Sequence, residues 1–336
     1  MLRIFHNTSY GFVRWWRQAA IATAVFIAAG LATFAITGGV NYSIEFTGGT
    51  LMQVRFTQAP DVAVVRSALD QAGITGAEIQ QFGSPTEFTI RARDERQVEA
   101  QAAGAEGIAK SIQAALDRQY GAGAVEIVRT EAVGPKVGAE LRSGALTAML
   151  ITALFTMIYL AIRFDWRFGA AAVLSTAHDI LVTVAFIKMV NLEVSLTVVA
   201  AILTLLGYSA NDTIIIFDRV RENLKKAGKS VSLSSILDRS INETLPRSIM
   251  THATTLAATL ALLLIAGEVI RPFAWVMTFG VFVATFSSIY VAGPLLLWIE
   301  SRYPRGAEES RGRAVQAEAE APARPATRRP ERAGAR

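Results

Sequence analysis

The sequence predicts an α-helical polytopic membrane protein of six transmembrane helices, with a small α+β, ferredoxin-like extracytoplasmic domain between the first and the second. Three observations carry this. Hydrophobic residues make up 52% of the 336-residue chain and the mean hydropathy is +0.36, too apolar for an ordinary soluble domain. Six stretches have about the 20 residues a bilayer crossing needs. The one long polar interval, 38–140, alternates strand and helix patterns.

Residues 1–17 are basic and aromatic, with Arg3, Arg14, Trp15, Trp16 and Arg17, and read as a cytoplasmic N-terminus. The first span, 18–37, is longer than the apolar region of a signal peptide and lacks a clear small-residue cleavage pattern, so an uncleaved helix is expected. The other spans are expected at 141–161, 168–190, 194–217, 247–266 and 272–299, with a cytoplasmic loop at about 218–246. Arg163, Arg167, Arg219, Arg221, Lys225, Lys226, Lys229, Arg302 and Arg305 fall on one side of six crossings. The short opposite loops near Leu192 and Glu268 carry few positive charges. By the positive-inside rule both termini are cytoplasmic, which expects a multi-pass protein of the bacterial inner membrane with 38–140 outside.

Within 38–140, residues 51–57 alternate as a strand, Asp61 stands where a helix cap belongs, and 77–82 and 87–92 flank the turn Gly83-Ser84-Pro85. Residues 95–120 read as an Ala-rich helix and 125–131 as a last strand. The order β-α-β-β-α-β is that of a split βαβ module. From about 300 to 336 the chain is rich in Arg, Glu, Ala and Pro and is expected to be disordered. The net charge of +5 sits largely in this tail and beside the spans, so it points to membrane lipids rather than nucleic acid. The absence of cysteine removes disulfides, thiolate metal sites and a cysteine nucleophile; no metal site and no catalytic residue is expected.

The most informative run is Gly207-Tyr208-Ser209-Ala210-Asn211-Asp212-Thr213, inside an apolar span. An ionised carboxylate at mid-bilayer costs about 2.5–3.5 kcal/mol on insertion scales, so such residues normally face a bundle interior and mark an ion or proton path. Asp212, with Asn211, is the leading candidate. His178 and Asp179 lie about ten residues into the third span, roughly 15 Å from its cytoplasmic end. Pro246 and Arg247 open the fifth span, followed by Thr251, His252, Thr254 and Thr255. Counting helical rise puts Arg247 level with Asp212, and an arginine that approaches or leaves a carboxylate changes that acid's proton affinity. Asp212, Arg247, Asn211 and Asp179 are therefore expected to couple proton movement to conformation. His178, Tyr208, Ser209, Thr251 and His252 line the path or pack. The plain alternative is a static Asp–Arg lock between two helices, although buried ion pairs add little net stability. The threonines have a plain alternative too, bonding to their own helix backbone. Lys188 is expected to snorkel at the outer interface. A membrane aspartic protease would need paired acids. Asp179 and Asp212 are in adjacent spans, but Arg247 argues for ion coupling. Carboxylates serve protons and sodium alike, so the sequence leaves both open, with no other cofactor expected.

Glycine and proline cluster where the outer domain joins the membrane: Gly48 and Gly49 in Phe46-Thr47-Gly48-Gly49-Thr50, and Gly134, Pro135 and Gly138 in Gly134-Pro135-Lys136-Val137-Gly138. They read as two turns or, more sharply, as a hinge. The Gly-Gly pair lacks the lysine-hydroxyl pair of a phosphate loop.

These motifs together, with His178-Asp179, Glu140-Leu141 and the run Phe217-Asp218-Arg219-Val220-Arg221-Glu222-Asn223, resemble the SecD/SecF family of protein-export membrane proteins over about residues 10–300. The long run from Gly207 is the specific part. The resemblance implies half of an RND-like fold, with SecD supplying the other six helices and a larger outer domain. It implies an accessory subunit of the Sec translocase, not an enzyme, that uses the proton-motive force to draw a secreted chain outward after the motor ATPase has pushed it. The implied partners are SecD, the SecYEG channel, the unfolded secretory polypeptide and, as further candidates, YajC and YidC. The family's proton-linked acid falls on Asp212 and its arginine on Arg247. Two positions depart from the usual pattern: Glu45 stands where Asp is common, and Ala210 where Ile or Leu is common. One charge crossing 100 mV yields about 2.3 kcal/mol, so a few protons suffice to move a weakly held domain. The rival readings are half of an RND-type exporter of small molecules or lipids, and a non-transporting scaffold of the translocon.

Overall fold

The computed structural model describes residues 5, 8–92, 104–227, 231–267 and 269–304. The expected tail lies outside the described residues from 305 onward, as do Arg3, Lys229, Glu268 and the start of the helix expected from 95.

Six helices are long and apolar enough to cross a membrane. They are α1 (Trp16–Thr37), α5 (Pro135–Arg163), α6 (Trp166–Met189), α7 (Leu196–Lys226), α8 (Leu233–Ile265), and α9 (Arg271–Tyr290) continuing through Val291 into α10 (Ala292–Arg302). The loop expected at 218–246 is a correction: α7 runs on to Lys226 and α8 begins at Leu233. The charges of this interval decorate helix faces. Glu222 and Lys226, and Arg239 and Glu243, pair one turn apart, and Arg219 clasps both glutamates. Ser232 caps α8 by accepting from Ser235 N. The inner faces of these extensions bury Val220, Ile236, Leu237 and Ile241.

Helices α6, α7 and α9 form the centre, and α1 and α5 lie at the periphery. Close approach comes from small residues: a Cβ at Gly280 would meet Leu205 Cδ1 at 2.2 Å, and one at Gly30 would meet Ala185 Cβ at 2.5 Å. Around the turn between α5 and α6, Phe168, Phe217, Leu160 and Leu296 fill the core.

The outer module has the expected order: β1 (Gly49–Phe56), α3 (Val62–Gln71), β2 (Glu78–Gln81), β3 (Glu87–Ala92), α4 (Gly104–Tyr120) and β4 (Val125–Val133). Asp61 caps α3 through Ala63 N at 2.8 Å. The sheet is antiparallel in the order β2-β3-β1-β4, with a register shift at Gln53/Val54. One face (Met52, Val54, Phe88, Ile90) buries against α3 and α4. The other, polar face (Gln53, Thr89, Arg91, Arg129) overlooks the outer helix ends across a cleft of about 420 Å³.

The junction between module and membrane helices is densely bonded. Val194 N donates to Asn41 O at 2.7 Å and Ser43 N to Val194 O at 2.9 Å. On the short helix α2 (Ile44–Thr47), Glu45 Oε2 accepts from Leu196 N at 2.6 Å, so the longer acid caps α7. Arg91, from β3, pairs with Glu193 between α6 and α7 and donates to Tyr42 O at 3.3 Å. Burial pushes the Glu193 carboxyl up, and Arg91 opposes this in part. Gly48 and Gly49 adopt φ of 73° and 124°, which side chains rarely permit. A Cβ on Gly138 would lie 3.0 Å from Gly48 N, so the inbound and outbound glycine motifs meet each other. Gly134 has an ordinary φ of −66° and caps α5, where Pro135 holds the first turn. Lys188 donates to the carbonyls of Gly38 and Gly39 at 2.8 and 2.6 Å, and so binds the end of α1.

Candidate functional site

Asp212 is 4% exposed, on the inward face of α7. Its Oδ1 accepts from Ser248 Oγ of α8 at 2.6 Å. Its Oδ2 is buried with no partner among the described residues. The level expected for α8 is right, since position 248 meets Asp212, but the azimuth is not. Arg247 is exposed, and among the described residues it makes no ion pair with Asp212. The reason is helical phase: successive residues are about 100° apart, so turning Ser248 inward turns Arg247 outward. The buried stripe of α8 runs Ser240, Thr244, Ser248, His252, at four-residue spacing. His252 is an electrostatic neighbour of Asp212, and its ring meets the edge of Tyr208 at 5.4 Å. Asn211 and Thr251 are exposed, and the hydroxyls of Thr251, Thr254 and Thr255 donate to carbonyls of their own helix.

A second acid lies beside the first. Asp179 of α6 is 5% exposed. Its Oδ2 accepts from Ser209 Oγ at 2.5 Å and its Oδ1 lies 2.9 Å from His178 Nδ1. Ser209 precedes Asp212 by one turn of α7, so that helix carries both Asp212 and the hydroxyl partner of Asp179. The structure thus brings Asp212, Ser248, His252 and Tyr208 together, and Asp179, Ser209 and His178 together. It leaves Asn211, Arg247 and Thr251 on an outward face with Thr204 and Gly207. Ser248 was missed; its four-residue spacing from His252 was the available signal.

Among the described residues, His178 is the one basic side chain within ion-pair distance of either carboxylate. Pro246, inside α8, cannot donate to the carbonyl of Asn242, which leaves the helix pliable next to Ser248. A buried acid with one hydroxyl partner, beside a pliable turn that carries an arginine on its far side, is a switchable arrangement.

Helices of this number around buried carboxylates, carrying a split βαβ module, define a polytopic membrane subunit of transport type. Comparisons name the family. The description "Protein export membrane protein SecD/SecF, C-terminal" matches residues 112–302 and "SecD/SecF GG Motif" matches residues 34–60. A protein translocase subunit SecF of Gemmatimonas aurantiaca is 77% identical over 317 residues, 94% of this chain and 95% of that one. One of Vibrio alginolyticus is 41% identical, covering 85% and 89%. The crystal structure of SecDF, a translocon-associated membrane protein of Thermus thermophilus, superposes with a TM-score of 0.75 at 34% identity over 90% of this chain. SecDF in a super-membrane-facing form gives 0.64 at the same identity over 93%. The chain spans about 40% of the length of those SecDF chains. The chain belongs to the SecD/SecF family of protein-export membrane proteins, among its SecF members.

Proposed function

We propose that this protein is an accessory subunit of the Sec protein translocase that, joined to a SecD half in the bacterial inner membrane, couples proton movement past Asp212 to motion of its outer module. That motion helps to draw an unfolded polypeptide outward from the SecYEG channel. The observation that carries the reading is the under-satisfied state of Asp212: 4% exposed, one hydrogen bond from Ser248, and an idle Oδ2. Burying a charge without a partner is costly. A proton and an arginine are two interchangeable ways of meeting that cost. Bound to a proton, Asp212 is content with Ser248. Without it, Arg247 is drawn inward, and a twist of α8 at Pro246 brings it there. The long arginine side chain reduces the rotation needed.

The outward face of Thr204, Gly207 and Asn211 on α7, and of Arg247 and Thr251 on α8, supports the second half. Polar groups at membrane depth face protein or wet cavities rather than lipid. The exposed surfaces of α1 and α5 differ, presenting Val25, Leu31, Leu150, Leu154 and Phe155. The bonded junction supports transmission, since Glu45 and Val194 tie the module to the start of the helix that bears Asp212.

The test is export in cells or vesicles carrying Asp212→Asn. We expect assembly with SecD to persist and the proton-dependent component of export to disappear. Undiminished export by an assembled Asp212→Asn complex favours a scaffold and overturns the reading.

A further inference from the structure

We propose that the groove between α1, α5 and α6, at the module end of the bundle, is a binding site for one anionic phospholipid, with its headgroup phosphate on Arg142 and Lys188 and an acyl chain in the groove. The cavity is about 250 Å³. Its floor is apolar: Ile187 of α6 and Val199 and Ile202 of α7 are buried there. Its mouth is apolar too, but open. Phe34 of α1, Leu146 of α5 and Val184 of α6 line it and are half-exposed. The exposed flanks of α1 and α5 continue this surface with Leu31 and Leu150, so the groove opens on the side where the helices face hydrocarbon. An apolar hollow of this kind excludes water and accepts an apolar guest.

The rim selects the kind of lipid. Among the described residues the lining carries two charged side chains, Arg142 and Lys188, both basic, and no carboxylate. Neutral groups hold both cations in place. The Arg142 guanidinium lies over the Tyr42 ring, 5.2 Å from its centroid. Lys188 Nζ donates to the carbonyls of Gly38 and Gly39 at 2.8 and 2.6 Å and stands 5.6 Å from the Phe34 ring centroid. Carbonyls and ring faces orient a cation without cancelling its charge. Lys188 keeps a third N–H, and Arg142 keeps the edge of its planar fork. Neither has a carboxylate within ion-pair distance among the described residues. A phosphate diester fits that fork and that point charge. A zwitterionic headgroup brings its own cation against two fixed ones, so a lipid of net negative charge is favoured. Asn41 and Asn191 also line the groove, and their amides suit the ester carbonyls between phosphate and chain.

Tyr42 and Phe46 close the groove on the module side, with their rings in edge contact at 6.2 Å. They belong to the junction, beside Asn41 and Val194. A lipid seated here joins α1, α5 and the junction in one contact, where the protein itself leaves a hollow. The proposal goes beyond the proton-coupling reading and does not rest on it.

The experiment is native mass spectrometry of the full chain released from detergent micelles, with phosphatidylglycerol and phosphatidylcholine of the same acyl chains offered together at equal concentration. We expect one phospholipid retained per chain, with about a 25-fold preference for phosphatidylglycerol, about fivefold for each basic side chain. Arg142→Gln, at an exposed position, should fold normally and remove about fivefold of that preference. Lys136→Gln makes the same loss of charge on the same helix but outside the groove, and should leave the preference intact. Val199→Phe grows a ring from the floor and should lower retention of both lipids several-fold; if it does not fold, Arg142→Gln still decides. Equal retention of the two lipids by wild type, or equal losses in Arg142→Gln and Lys136→Gln, overturns the proposal. So does displacement of the lipid by millimolar inorganic phosphate, which would make the site one for a small anion.

Discussion

The junction under the outer module and the pocket around Asp212 are built on opposite rules. At the junction almost every polar group is committed. Glu45 caps α7, Asn41 and Ser43 pair with Val194, Arg91 meets Glu193, and Gly138 abuts Gly48. At Asp212 one oxygen has one partner and the other has none among the described residues. Saturated bonding makes a stiff coupling. Incomplete bonding makes an element with two ways of being satisfied. The proposed conversion of a change of charge inside the membrane into movement of the module needs both.

Breaking the stiff region should cost stability. Arg91→Ala leaves the half-buried Glu193 without its partner and should cost about 2 kcal/mol, as loss of a hydrogen bond to a charged group does; thermal unfolding of the detergent-solubilised protein would read it. Glu193→Gln should cost less, and the sign of its pH dependence is fixed. The folded carboxyl is pushed above its ordinary value of 4.5 by burial. The folded state therefore holds the proton more tightly than the unfolded one. The stabilisation from that proton is complete below the ordinary value and lost as pH rises through the folded one. Wild type should accordingly gain on Glu193→Gln as the pH is lowered from about neutral toward 4.5. A gap that moves the other way would show that Arg91, not burial, governs the acid. Gly138→Val places side-chain atoms against the backbone of Gly48, where nothing can swing aside. It should cost about 2 kcal/mol and open the junction, seen as faster proteolysis of the outer module.

Loosening the switch should cost less stability and more function. Ser248→Ala removes the one hydrogen bond to Asp212, about 1 kcal/mol in Tm measurements, and should depress proton-dependent export. Arg247→Met should leave the Tm within about 0.5 kcal/mol, as exposed positions do, yet move the pH profile of export. An unchanged profile separates Arg247 from Asp212 and removes the exchange of partners.

Much of this was legible in the sequence. Apolar runs and strand alternation are local signals, and they place the six helices and the β-α-β-β-α-β order of the module, with the helix cap at Asp61. Helix phase is not local. Arg247 and Ser248 are neighbours in the chain, and only packing decides which one faces Asp212; the stripe of Ser240, Thr244, Ser248 and His252 held the answer. The charged interval 218–246 misled because salt-bridged helix faces and polar loops share a composition. The Arg91–Glu193 tie joins residues 102 positions apart, beyond the reach of any pattern in a single chain.

The most direct measurement of the central claim is the infrared carboxyl band of Asp212 in the assembled complex, identified by its loss in Asp212→Asn and followed against pH in wild type and Arg247→Met. The account predicts a band that appears and vanishes with pH and whose midpoint moves when the arginine is removed. A carboxylate that keeps one protonation state throughout, or a midpoint indifferent to Arg247, would contradict it.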